Sequence, residues 1–231
     1  MKFLFQLILL FFGIAASGFL TWVCIISGID WQIAKFFESN YIFIYAAIPG
    51  VIAGMIVPFV ILGYYFLKGK KDGNKVYSAT ALKLGLGFFT SFIISTILKS
   101  VTNRTDMEPF ESLGNYDFSN GFRWGFLNSN SLWESFSEGW PSGHTFIATT
   151  FLVILWPTLQ KAQKLYHSLY VLVIMLSVVT SFHWFSDIVS GVILGIIIGK
   201  YFQINQNLEI VMKTNCASTN ENKHDVFHMT T

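Results

Sequence analysis

Gly139-Trp140-Pro141-Ser142-Gly143-His144-Thr145 marks the point where a polar loop gives way to an apolar run. Pro141 suits the last non-helical step or the first turn of a helix, where its missing N–H costs nothing. Gly143 lets the backbone approach a ligand closely. A helix starting here turns its free N–H groups and positive dipole end toward the loop, with an imidazole at the lip. That is a ready anion site. The plainer alternative is a helix capped by Ser142 and followed by an incidental histidine. What flanks this stretch decides what kind of molecule it belongs to.

The 231 residues are 53% hydrophobic and 17% aromatic, and only 12% are charged. A soluble domain carries roughly 25% charged residues. With a mean hydropathy of +0.53, the composition fits an integral membrane protein. Six apolar segments, each near the roughly 20 residues that cross a bilayer, run over about 3–26, 41–67, 76–98, 144–159, 165–182 and 185–202. The expected fold is all-α: a polytopic membrane bundle of six transmembrane helices. Residues 1–203 form the membrane domain, with a polar loop at 99–143. Residues 204–231 read as a weakly ordered polar tail. Small residues at 15–18 resemble a signal-peptide cleavage site, but the apolar run continues past them, so an uncleaved anchor helix is expected. Residues 30–40 form a polar link whose Ile33, Phe36 and Phe37 fit a helix lying at the interface. Pro49 and Pro58 fall inside the second segment, where membrane helices tolerate them.

Basic residues fix the orientation. Lys2, Lys68, Lys70, Lys71, Lys75, Lys161 and Lys164 all fall on one side if the chain crosses six times. By the positive-inside rule that side is cytoplasmic. Both termini are then cytoplasmic, and the 99–143 loop faces outward together with the junction near His183. Gly191, Gly195 and Gly199 recur every four residues in the last segment and provide a smooth ridge for helix packing. No basic stripe with interleaved aromatics points to nucleic acid. Cys24 and Cys216 lie in unlike surroundings, so no disulfide framework is expected. No Cys/His cluster with metal-ligand spacing is seen, and no cofactor is expected.

Ionisable groups near membrane depth are costly and each needs a reason. His183 and Asp187 stand at i and i+4, on one helix face. A carboxylate on one imidazole nitrogen leaves the other free to attack; a purely structural His–Asp pair is the alternative. Lys99 and Arg104 open the outward loop. Arg104 and Arg123 are the only arginines of the chain, and both lie in that loop. Their planar forks match phosphate oxygens in a way that lysine does not. Two histidines, a carboxylate, a helix N-terminus, one lysine and two arginines thus share one side. That set suits phosphoryl transfer through a phosphohistidine: one neutral histidine attacks phosphorus, one protonated histidine protonates the departing oxygen, and cationic and N–H groups hold the rest.

These residues resemble the type 2 phosphatidic acid phosphatase (PAP2) superfamily. Its signatures are Lys-x6-Arg-Pro, Pro-Ser-Gly-His and Ser-Arg-x5-His-x3-Asp. The second is intact as Pro141-Ser142-Gly143-His144, and the third keeps His183 and Asp187 at the right spacing. The resemblance implies that His183 is the nucleophile, Asp187 its orienting partner and His144 the general acid. It implies that Lys99, Ser142 and Gly143 hold phosphate. Two positions depart from the pattern: the Arg-Pro of the first signature falls on Asp106-Met107, and the arginine of the third falls on Ser177. Arg104 and Arg123 are expected to supply the phosphate-binding charge in their place.

The expected activity is a metal-independent lipid phosphate phosphatase at the outer face of a bacterial inner membrane. Its substrate is a lipid phosphomonoester or pyrophosphate, and membrane lipids surround it. The loop aromatics Phe110, Tyr116, Phe118, Phe122, Trp124, Phe126, Trp133, Phe136 and Trp140 read mainly as an interfacial belt, a few of them as a groove for a lipid chain. A phosphotransferase on the same scaffold, a degenerate member of the family, or a transporter or binding subunit are the competing classes. The sequence sets neither the lipid nor the oligomeric state.

Overall fold

The computed structural model describes residues 2–40, 42–107, 112–125, 139–180 and 182–203. Among them the chain forms seven helices: α1 (Lys2–Ile26), α2 (Ile29–Glu38), α3 (Ile42–Asp72), α4 (Lys75–Thr102), α5 (Gly143–Leu155), α6 (Lys161–Val179) and α7 (Phe185–Gln203). Five of these (α1, α3, α4, α6 and α7) are long and apolar enough to cross a membrane. The architecture is the expected all-α polytopic bundle. The tail at 204–231, with Cys216, lies outside the described residues, as do Phe110, Phe126, Trp133 and Phe136.

Local chemistry sets the helix ends. Gly28, at φ 71°, breaks the chain between α1 and α2 in a left-handed turn that a side chain would resist. Asn74 caps α4 by accepting the Val76 N–H at 2.9 Å. At the other end Asn103 adopts φ 38°, ψ 47°, and its N–H bonds back to the Lys99 carbonyl. Gln160 and Gln163 form a reciprocal capping box at the start of α6. Pro49 and Pro58 sit within a continuous α3. The segment expected over 144–159 is the one whose length differs. Its helix has 13 residues and stops at Leu155; Trp156 still bonds back to the Leu152 carbonyl, but Pro157 has no N–H to carry the next bond of the ladder.

That short helix is the centre of the bundle. Phe146, Ala148, Thr149, Thr150, Phe151, Ile154 and Leu155 are all buried. The glycine ridge of α7 lies directly against it. A Cβ at Gly191 would stand 2.7 Å from the Ser142 carbonyl, one at Gly195 2.8 Å from that of Phe146, and one at Gly199 3.1 Å from that of Thr150. Side chains there would force the two backbones apart. Outward, Leu4, Phe5, Phe59, Phe89 and Leu165 are exposed, as lipid-facing residues are. The antiparallel run of α3 to α7 brings the ends of α4 and α6 and the starts of α5 and α7 to one mouth.

Candidate active site

The site is assembled from the C-terminal end of α4 and the starts of α5 and α7. Loop residues 103–107 and 112–125 close it, and α2 braces it from behind. The left-handed turn at Asn103 reverses the chain after α4. The Asn103 side chain then donates to the Ser100 and Gly125 carbonyls, at 2.8 and 2.6 Å. Thr105 N–H donates to Gly121, and Arg123 N–H to Thr102. These bonds hold the entry of the loop on the end of α4.

His144, in the first turn of α5, and His183, just ahead of α7, come together at this mouth. Their ring centroids are 6.5 Å apart, with the rings tilted by 57°. One tetrahedral phosphate can bridge that gap. The His144 ring also lies close to Gly54 of α3, where a Cβ would approach its Cδ2 to 3.1 Å. Glycine at 54 is what lets the imidazole lie against the α3 backbone. Ser142 is fully buried, and its N–H donates to the Asp187 carbonyl at 3.1 Å, which ties the start of α5 to the start of α7. Gly143 begins α5 and is partly exposed, so the free N–H groups of the first turn open toward the mouth. Lys99 is buried in the last turn of α4.

Of the two arginines, Arg104 takes a different place from the one expected. Arg104 is buried, and each of its guanidinium nitrogens is engaged by the protein. Nε donates to Ser119 O at 3.0 Å. Nη1 donates to Ser186 Oγ at 2.8 Å and to Asp187 Oδ1. Nη2 donates to Asp30 Oδ2 and to Ser119 O, both at 2.7 Å. Its planar faces lie near Phe122 and Trp184. Burial works against the charged form of Arg104, but Asp187 and Asp30 outweigh it and hold the pKa above its ordinary value. A guanidinium offers five N–H donors, and all are already spent on protein oxygens. Arg104 therefore braces the site from behind and is not open to a phosphate, contrary to the expectation from sequence. Arg123 is exposed on the loop, its backbone bonded to the end of α4.

Asp187 is fully buried. Its Oδ1 takes Arg104 and its Oδ2 takes the Trp184 N–H at 3.2 Å. Oδ2 lies 3.9 Å from His183 Nδ1, beyond hydrogen-bond reach. The carboxylate within reach of that nitrogen is Asp106, whose Oδ1 stands at 3.2 Å. Asp30 completes the rear of the site by accepting the Ser186 N–H and Oγ–H at 2.9 and 2.6 Å. Sequence reasoning passed over Asp30, Asp106 and Ser186. Asp30 did carry a signal, since a carboxylate so close to the end of an apolar segment needs a partner.

Asp106, His183 and Asp187 are the group that could hold a metal ion among the described residues; each places a ligand atom within 4.8 Å of the others. The set offers only three ligands, and both Asp187 oxygens already accept hydrogen bonds from Arg104 and the Trp184 N–H. The His183 Nδ1 to Asp106 contact alone already satisfies the remaining pair.

A model of the PAP2 superfamily matches residues 80–209, a span that holds Lys99, His144, His183, most of α4 and all of α5 to α7. No match was found among curated proteins or among solved structures.

Proposed function

The chain belongs to the PAP2 superfamily, and from that membership we propose that it is a lipid phosphate phosphatase working through a phosphohistidine on His183. The observation that carries the reading is the pair of imidazoles at one mouth, 6.5 Å between centroids, beside a buried lysine and a helix start.

In the first step neutral His183 attacks phosphorus through Nε2, while its Nδ1–H is held by a carboxylate. The P–O bond to the lipid breaks, and His144, protonated, gives its proton to the departing oxygen. In the second step water attacks the phosphohistidine, neutral His144 takes the water's proton, and the P–N bond breaks to release phosphate. Lys99, Ser142, the Gly143 region of the α5 N-terminus and Arg123 are the groups proposed to hold the phosphate oxygens. No step needs a metal ion.

In this reading the mouth opens on the extracytoplasmic side of a bacterial inner membrane, with both termini cytoplasmic. Support comes from Lys2, the Lys68–Lys75 cluster, Lys161 and Lys164, which belong to the opposite ends of the helices. The substrate is a lipid phosphomonoester or pyrophosphate that reaches the mouth from the outer leaflet.

The test is phosphate release from a panel of lipid phosphates in EDTA. Wild type is expected to remain active. His183→Ala should lose at least about 10⁴-fold in kcat, as removal of a nucleophile does. His144→Ala should lose on the order of 10²–10⁴-fold, and less on substrates with good leaving groups. Activity abolished by EDTA but retained by His183→Ala would sink the mechanism. Transfer of labelled phosphate to a second lipid, without free phosphate, would identify a phosphotransferase.

A further inference from the structure

We propose that Asp106 is the carboxylate that positions His183, and that Asp187 serves Arg104. The proposal rests on the His183 reading above and assigns its partner.

His183 Nδ1 has one hydrogen to give. Two carboxylates stand near it, and distance and occupancy separate them. Asp106 Oδ1 is at 3.2 Å, whereas Asp187 Oδ2 is at 3.9 Å. Both Asp187 oxygens already accept, from the Arg104 guanidinium and from the Trp184 N–H. Asp106 is held by one other contact: its Oδ2 accepts the Gly139 N–H at 3.0 Å. That bond leaves Oδ1 facing the imidazole. The histidine and aspartate side chains are 6% and 11% exposed, so water competes little for the contact. An ionised carboxylate can only accept, so this contact requires Nδ1 to carry the hydrogen and leaves the Nε2 lone pair for phosphorus.

The Gly139 contact also makes the aspartate difficult to replace. In Asp106→Asn the amide has one oxygen, and the Gly139 N–H claims it. The NH2 group then faces Nδ1, which can meet it only as an acceptor. The hydrogen moves to Nε2, and the attacking lone pair is lost. Asp106 is thus a positioning residue: it acts on the reaction through His183.

The experiment combines imidazole ¹⁵N NMR with steady-state kinetics on the full chain in detergent. His183 signals are assigned by their loss in His183→Gln. Wild type should show the Nδ1–H tautomer. Asp106→Asn should shift His183 to the Nε2–H tautomer and lower kcat on the order of 10²–10⁴-fold, with KM within about twofold of wild type. Asp106→Glu, which keeps a carboxylate, should recover the tautomer and part of the rate. Asp187→Asn should lower the melting temperature while His183 keeps Nδ1–H. Asp106→Asn with wild-type tautomer and kcat would overturn the proposal, as would a tautomer switch confined to Asp187→Asn. If wild type releases no phosphate from any lipid but the tautomer follows Asp106, the phosphatase reading fails and the pairing stands.

Discussion

The rim and the centre of the bundle are built on opposite rules. α1 and α3 are its most apolar spans, yet only 17% and 24% of their membrane-crossing windows are buried in the protein. α7 is less apolar and is 50% buried. The interior collects what lipid would reject: Ser91 bonded to Thr150 between α4 and α5, Thr21 bonded to Ser190 between α1 and α7, Trp140 bonded to the same serine, and the Arg104 cluster at the mouth. A tail of lipid is as apolar as leucine, so hydrophobicity cannot sort helices inward. Close packing and hydrogen bonding do that. Two of the helices at the mouth, α4 and α7, are accordingly less apolar than α1 and α3.

The strongest way to break this contrast is to unpair its centre. Arg104→Met would leave Asp30 and Asp187 buried without their shared cation. Removing one partner of a buried pair costs about 3–5 kcal/mol. A large drop in the detergent melting temperature is expected, and an unchanged melting temperature would contradict the bracing role. A milder probe is the glycine ridge. Gly195→Val would push against Thr149 and the Phe146 carbonyl, which a Cβ alone already approaches to 2.7 and 2.8 Å. Overpacking of this kind costs roughly 1–3 kcal/mol. Gly18→Ala, on lipid-facing α1 with nothing within 4 Å, should be neutral or slightly stabilising in the same melting assay. Equal responses at the two glycines would erase the distinction between rim and centre.

The smallest expected effect lies at the edge of the loop. Burial pushes the Glu38 carboxyl up. Bonds from Lys35, Ser112 and the Leu113 N–H outweigh that and hold it below its ordinary range. A carboxylate with a lowered pKa contributes stability above its unfolded value, and that contribution is lost as pH falls through the folded one. Protection of the Leu113 amide against hydrogen exchange, corrected for the intrinsic rate, should therefore fall as Glu38 protonates in acid. In Glu38→Gln the protection should no longer follow that titration.

Most of the bundle was legible because helix-forming apolar runs of bilayer length are a one-dimensional signal. The glycine spacing in α7 and the helix start at Gly143 were legible for the same reason: each is local. The rear of the site was not. Arg104 reads as a phosphate ligand from its loop and its rarity. Its role turns on how many acceptors surround it, and three of those come from Asp30, Ser186 and Asp187, which are 74, 82 and 83 residues away. Asp106 stands where the family pattern has an arginine, and only the fold reveals that it faces His183. The fourth apolar segment was legible as apolar. Its short length follows from Pro157, whose missing N–H is a local property and could have been read.

The bond from the Ser186 amide to Asp30 joins groups 156 positions apart in the chain. A ribosome delivers Asp30 early and Ser186 near the end of the bundle. Until α7 arrives, the guanidinium and the first carboxylate lack the groups that complete their cluster. The mouth is therefore finished last, and a nascent chain halted before α7 holds its early helices without a formed reaction centre.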